Sequence, residues 1–427
     1  MRNWKRLGIF AVLGLIMSWM VSCASAPQSS TSATDGTQDV EFWTMQLQPE
    51  FTDYFNQLIA EFETENPGVK VRWTDVPWAD MQSKILTAVS ANTAPDVVNL
   101  NPDFAAQLAG RNAWMPLDDK VSPDQQALYL PKIWEANKVD GQSFGIPWYL
   151  ATSITVSNTD LLKAAGISEP PATFAELATA AKQVKEKTGK YAFFITFVPE
   201  DSAEVLQSMV QMGVDLIDSE GKAAFNTPAG KAAFQYWVDL YQQGLLPQEV
   251  LTQGHRRGIE LYQSGETALL STGPQFLTTI ATNAPSIAAI SSASPQITGD
   301  TGKKNVAVMN LVIPRSTDQP DAALNFALYV TNPENQLTFA KQANVLPSTV
   351  ASLDNSYFST TSDETNPAEK ARVVSASQMA DAEVLLPTIS DIKELQKIMY
   401  TNLQSAMLEQ STVDEAIAAA ETAWNNR

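Results

Sequence analysis

From Val40 onward the apolar positions switch between two periods. Val40-Glu41-Phe42-Trp43 alternates as a strand does, and Phe51, Tyr54, Phe55, Leu58, Ile59 and Phe62 then recur at helical spacing on one face. Asn66-Pro67-Gly68 predicts the stop of that helix. Val69, Val71 and Trp73 alternate with Lys70, Arg72 and Thr74, a second strand. A helix over about 79–91 then leads to Pro95-Asp96-Val97-Val98, a third. Strand, helix, strand, helix, strand predicts parallel pairing with right-handed crossovers, hence an α/β class. Later helices announce their starts. Thr173-Phe174-Ala175-Glu176 and Thr412-Val413-Asp414-Glu415 match a capping box, and Thr227-Pro228 opens a helix that Gly244 closes.

The N-terminus follows a different pattern. Arg2, Lys5 and Arg6 precede an apolar stretch, 7–21, that is shorter than the roughly 20 residues of a bilayer span. This predicts a cleaved export signal over 1–22. It ends in Met20-Val21-Ser22-Cys23, which resembles a bacterial lipobox, and Cys23 is the chain's single cysteine. Lipidation at Cys23 would anchor the protein to a membrane. Residues 23–38 are nearly all small or polar and predict a flexible tether.

Composition narrows the classes. At 427 residues with 44% apolar and 18% charged residues, the chain is globular and long enough for two lobes. Loss of 1–22 moves the formal charge from −19 to −22, which argues against nucleic acid and anionic lipid surfaces as partners. A lone cysteine excludes an internal disulfide and any multi-cysteine metal site. There is no GxGxxG or GK[ST] phosphate loop and no 20–50-residue repeat, and neither a metal nor a cofactor is expected.

An ordered set of segments resembles the extracellular solute-binding proteins of carbohydrate ABC transporters, the maltose-binding-protein-like family. They are Phe42-Trp43, Asn66 to Val71, Ala94-Pro95-Asp96-Val97, Gly141 to Trp148, Ser157 to Leu162 and Pro170 to Leu177. Tyr262 to Leu270, Ser271-Thr272-Gly273-Pro274, Asp321 to Ala327, Thr331 to Glu334 and Thr412 to Ala416 continue the order. The resemblance implies a two-lobed periplasmic-binding-protein type II fold, each lobe a mainly parallel sheet flanked by helices. It implies three crossings, placed near Pro147, Ser271 and Ile313. Lobe one would then be 39–147 with 271–312, and lobe two 148–270 with 313–427. A sugar or polyol would bind between lobes that close by hinge motion, and the closed monomer would deliver it to an ABC permease whose ATPase partners supply the energy.

A sugar needs flat rings for its C–H faces and polar side chains for its hydroxyls, because each hydroxyl left unpaired costs about 1–3 kcal/mol. Ligands in such folds meet the carboxyl ends of the strands. Trp43 and Gln46 follow the first strand, Asp75 and Trp78 the second, and Asn99 and Asp103 the third, with Asp103 near a sugar-contacting acid by resemblance. Core packing remains open for Trp43, and helix capping for Asp75 and Asn99; Trp73 and Trp237 read as core. Of Trp148 and Tyr149, adjacent at the first crossing, at most one faces the ligand, and Trp148 is favoured. Glu200 resembles a second-lobe sugar-binding acid, with a surface carboxylate the alternative. After Gly273-Pro274 this chain has Gln275-Phe276 where many family members carry a stacking tryptophan. Asn310 is a further candidate contact.

Two rivals remain. His255-Arg256-Arg257 could hold the phosphate of a phosphorylated polyol such as glycerol phosphate, or be a solvated loop. A secreted glycoside hydrolase would need two carboxylates about 5–10 Å apart, and nothing marks such a pair. With one histidine and no GxSxG elbow, no Ser-His-Asp site is marked, and the expectation is a binder, not an enzyme.

Overall fold

The computed structural model describes residues 37–427 apart from 140, 364 and 365, so the signal segment, Cys23 and nearly all of the tether lie outside the described residues. The first alternation forms strand β1 (Gln38–Met45) and the helical face forms α1 (Thr52–Glu65), which buries Tyr54, Phe55, Leu58 and Phe62. Asn66 caps α1, and Gly68 at φ 106° turns the chain into β2 (Val69–Val76). Helix α2 (Trp78–Ser90), strand β3 (Val97–Leu100) and helix α3 (Pro102–Ala109) follow. β1 pairs in parallel with both β2 and β3, as the strand–helix order predicts. Both capping boxes form, and Thr227 accepts from the Gly230 amide at the start of Pro228–Gln242.

The protein is a two-lobed α/β fold. In the first lobe the strand order is Leu346–Pro347, Ile146–Thr152, Lys304–Val312, β3, β1, β2, with Ala382–Glu383 pairing beside the start of Lys304–Val312. The pairs of Lys304–Val312 with β3 and with Ile146–Thr152 are antiparallel, so this sheet is mixed. The second lobe's sheet is antiparallel throughout, with Ile154–Asn158 between Leu269–Thr272 and Ser291–Pro295. The reason is topological: Ile154–Asn158 enters the lobe, and its neighbours run back toward the crossing.

Packing moves the expected lobe boundaries. The first crossing falls at Ser153, just beyond Ile146–Thr152. Leu269–Thr272 and Ser291–Pro295 both pair with Ile154–Asn158, so the chain does not leave the second lobe near Ser271; it returns over 296–303. Nor does it cross near Ile313. Helices Pro320–Val330 and Pro333–Ala343 belong to the first core, with Phe326 edge-on to Phe42 at 5.2 Å and Phe339 stacked on Trp148 at 4.9 Å. The second core gathers Phe197, Phe234 and Trp237 with Leu395, Tyr400 and Trp424 from the C-terminal helices Ile392–Met407 and Val413–Asn425. These apolar faces choose their lobe by where an uncovered sheet or helix is available, which local periodicity does not encode.

A buried amide network closes the crossings. The Gln296 side chain donates to Asn305 O at 3.0 Å and accepts from Asn305 N at 2.9 Å and Gln211 Nε2 at 3.1 Å. Gln378 accepts from Gln296 N at 2.8 Å and donates to Ser153 O at 3.1 Å. Thr152 and Ser375 hydroxyls meet at 2.6 Å beside them. Gln211, Gln296 and Gln378 are all buried. Gln296→Leu, close in size, strands several of these groups, and each costs about 1–3 kcal/mol. A fall of that size in unfolding free energy, read from the urea midpoint, is expected; an unchanged midpoint would contradict the network's role.

Candidate functional site

Ile146–Thr152 is antiparallel to Lys304–Val312, which is antiparallel to β3. Ile146–Thr152 therefore runs parallel to β1 and β3, and the carboxyl ends of all these strands share the edge from which the chain crosses to the second lobe. At this edge Asp75 is a brace. It accepts from the Thr44 hydroxyl at 2.6 Å and from the amides of Leu47 and Gln48 at 2.9 and 3.0 Å, while Trp73 Nε1 donates to Thr44 at 2.8 Å. The loop so fixed holds Gln46 at φ 53°, a left-handed conformation. Gln46 Oε1 accepts from Trp78 N at 3.3 Å, supplying a cap that Pro77 cannot give α2.

Two aromatic side chains meet beside this loop. Trp78 is 45% exposed, its ring 6.3 Å from Phe104 on α3. Tyr149 is half-buried at the same edge, and burial, with Asp75 adding, raises its hydroxyl above the ordinary tyrosine range, so it stays a neutral donor and acceptor. Phe104 was not singled out from the sequence, although the N-cap Asn101, accepting from Phe104 N at 2.9 Å, marks the helix start that places it.

Other candidates lie elsewhere. Trp148, the favoured candidate, is fully buried between Phe55 and Phe339, and Tyr149 is its half-exposed neighbour. The pairing register shifts between Met309 and Asn310, so the two rings do not alternate but touch at 5.0 Å and both pack on Phe339. Trp43 faces α2, 7% exposed, with its indole N–H on Glu41 at 2.8 Å and Lys84 Nζ 4.2 Å above the ring. Asn99 and Asn310 are wholly buried on paired strands. Asn99 donates to Asn310 O at 3.3 Å, and Asn137 donates to Asn310 Oδ1 at 2.5 Å. They sit inside the lobe because their positions on the strands point into the core, and neither Asp75 nor Asn99 caps a helix. Asp103 is the second residue of α3, and its side chain lies outside the described residues.

On the second lobe Thr272 pairs with Ile154, so Gly273, Gln275 and Phe276 also adjoin the crossing. The Gln275 amide folds over Gly273, where a Cβ would lie 2.3 Å from its oxygen; Gln275 is exposed and Phe276 half-buried. Glu200 is exposed on a nearby loop. Beyond it Glu204, at the start of Glu204–Gln211, accepts from the Ser271 hydroxyl at 3.3 Å and faces His255 Nδ1 at 3.7 Å. Asp201 accepts from His255 N at 2.9 Å. Arg257 is held by Glu249 at 3.2 Å and Glu260 at 3.1 Å. The basic run is thus met by four carboxylates, which disfavours a phosphate there. Glu204 carries no local sequence signal, since it is brought to Ser271 only by folding.

Among the described residues no group of three or more His, Cys, Asp or Glu could hold a metal ion, and no helix is long and apolar enough to cross a membrane.

The profile of the bacterial extracellular solute-binding protein family matches residues 48–337, and the chain belongs to that family. Its relatives of known structure include a Synechococcus sp. MITs9220 protein described as an oligosaccharide periplasmic-binding protein, 45% identical, with a TM-score of 0.85 over 91% of this chain and 98% of that one. An arabinooligosaccharide-binding protein of Halalkalibacterium halodurans is 26% identical over 69% of this chain and 67% of its own. The cyclic α-maltosyl-1,6-maltose binding protein of Arthrobacter globiformis, 21% identical over 91% of this chain and 98% of its own, shares the fold at a TM-score of 0.78.

Glu204, then Asp201, raises the His255 pKa against the opposing effect of burial. A raised folded-state pKa gives stability that is complete below the unfolded value of about 6.5 and lost as pH climbs through the folded value. Wild type should exceed His255→Gln by up to about 1 kcal/mol at pH 5.5, with the gap closing by pH 9 in paired urea titrations.

Proposed function

We propose that this exported solute-binding protein captures a neutral oligosaccharide between its lobes and hands it to the membrane permease of an ABC importer. The observation that carries this reading is the group of aromatic and polar side chains at the carboxyl ends of the first lobe's strands. Exposed Trp78 beside Phe104 offers flat apolar faces, and Gln46 and Tyr149 offer hydrogen bonds. That pairing suits a sugar, which presents C–H faces and hydroxyls together. The oligosaccharide and arabinooligosaccharide cargo named for two relatives supports the same class. Gln275 and Phe276, with Glu200 or its neighbours, would close over the cargo from the second lobe. The protein acts as a monomer and performs no chemistry.

In this reading one lobe comprises 38–152 with 304–358 and 382–383, and the other 154–295 with 367–377 and 392–427; the separate apolar cores support the division. Hinge closure about 153 and 296–303 buries the cargo.

Two experiments test the proposal. A thermal-shift and calorimetric panel of maltotriose, arabinotriose, monosaccharides, glycerol phosphate and amino acids should give a rise with one neutral sugar class. At 100-fold above the dissociation constant the gain is about 2.7 kcal/mol. Trp78→Ala should weaken that binding about tenfold or more, about 1.4 kcal/mol. A response to glycerol phosphate alone, or hydrolysis of a glycan, would overturn the reading. Separately, Cys23→Ser should abolish metabolic palmitate labelling and release the protein from the membrane fraction; continued labelling would refute anchoring at Cys23.

A further inference from the structure

The second lobe carries a titratable cluster that the cleft reading leaves unused. Glu204 has a side chain 18% exposed and two oxygens with different tasks: Oε1 takes the Ser271 hydroxyl and Oε2 faces His255. Ser271 lies one residue before Thr272, which pairs with Ile154 at the crossing, so the carboxylate sits at the hinge-facing edge. The groups around His255 are Glu204 from the helix start, Asp201 from the preceding loop, Ser271 from the strand, and Arg256 and Arg257 from its own helix. Arg257 is drawn away by Glu249 and Glu260, and the imidazole, when protonated, is a cation directed at Glu204.

We infer that His255 is a positioning residue for cargo capture: its imidazolium and the Ser271 hydroxyl together aim the Glu204 carboxylate at hydroxyls of the bound sugar. This rests on the cleft reading above. A carboxylate has about four lone-pair sites, and one donated hydroxyl with one facing imidazole at 3.7 Å leaves others free to accept from the cargo. When the imidazole loses its proton the charge-assisted contact is lost and the carboxylate can turn. Capture is therefore linked to the protonation of the chain's single histidine.

Linkage makes this reciprocal: if protonation strengthens capture tenfold, cargo must raise the His255 pKa by about one unit. The test uses the full-length protein with whichever of maltotriose or arabinotriose binds. Calorimetry from pH 5.5 to 8.5 should show affinity falling about tenfold as pH rises. Because there is one histidine, its ring-proton NMR signal reports the pKa with and without sugar, and no variant is needed for that readout. His255→Gln should bind weakly and without pH dependence, and His255→Lys should hold its affinity to pH 8.5. Glu65→Gln, an exposed acid on α1, should keep the wild-type profile. Sugar binding indifferent to pH, with an unmoved His255 pKa, overturns this inference and leaves the cleft reading standing. Failure of every sugar to bind overturns both.

Discussion

Gln296 sits where the chain returns from one sheet to the other, and its amide is satisfied on both sides of that return. It exchanges two hydrogen bonds with Asn305, accepts from Gln211 of the second lobe, and offers its backbone amide to Gln378. Gln378 in turn holds the carbonyl of Ser153, the single residue between the two collinear strands of the other crossing. A crossing is a place where sheet hydrogen bonds stop, and burying it leaves backbone groups without ladder partners. Side-chain amides, which carry both donors and acceptors, fill that gap. The two strand crossings are thus tied to each other and to the segment 375–383 that lies over them.

The same constraint sets the location of the candidate site. Because Ile146–Thr152 leaves the first sheet in the same direction as β1, β2 and β3, the carboxyl ends of those strands lie toward the crossing at Ser153. Asp75 fixes the loop after β1 and Gln46 fixes the start of α2, which leaves Trp78 presented to solvent. An exposed tryptophan held by a rigid frame loses little entropy when a flat apolar face stacks on it. Behind this frame the first core is unusually aromatic, with Phe42, Phe55, Trp148, Phe326 and Phe339 in mutual contact. Edge-to-face and stacked ring pairs of this kind add about 0.5–1.5 kcal/mol each beyond the area they bury.

Much of this was legible along the chain, and for local reasons. The strand–helix order, the stop at Asn66-Pro67-Gly68 and the capping boxes at Thr173 and Thr412 depend on residues within a turn or two of one another. That Gln46 and Trp78 lie just past strand ends was reachable because the carboxyl ends of parallel strands are defined by those local periods. Trp148, Asn99 and Asn310 were not separable from them, since an aromatic or amide on a strand reads the same whichever face it takes. The crossing points near Ser271 and Ile313 failed for the same reason.

By itself, then, the sequence determined the class of fold, the order of its elements and the chemical types gathered at the strand ends, because periodicity, capping and turn chemistry are short-range. Only the tertiary structure decided which sheet each later strand and helix joined, which of two adjacent aromatics is wholly buried, and that Glu204, Ser271 and His255 meet. Those outcomes depend on which apolar face is still uncovered when distant segments pack, a property no single segment carries.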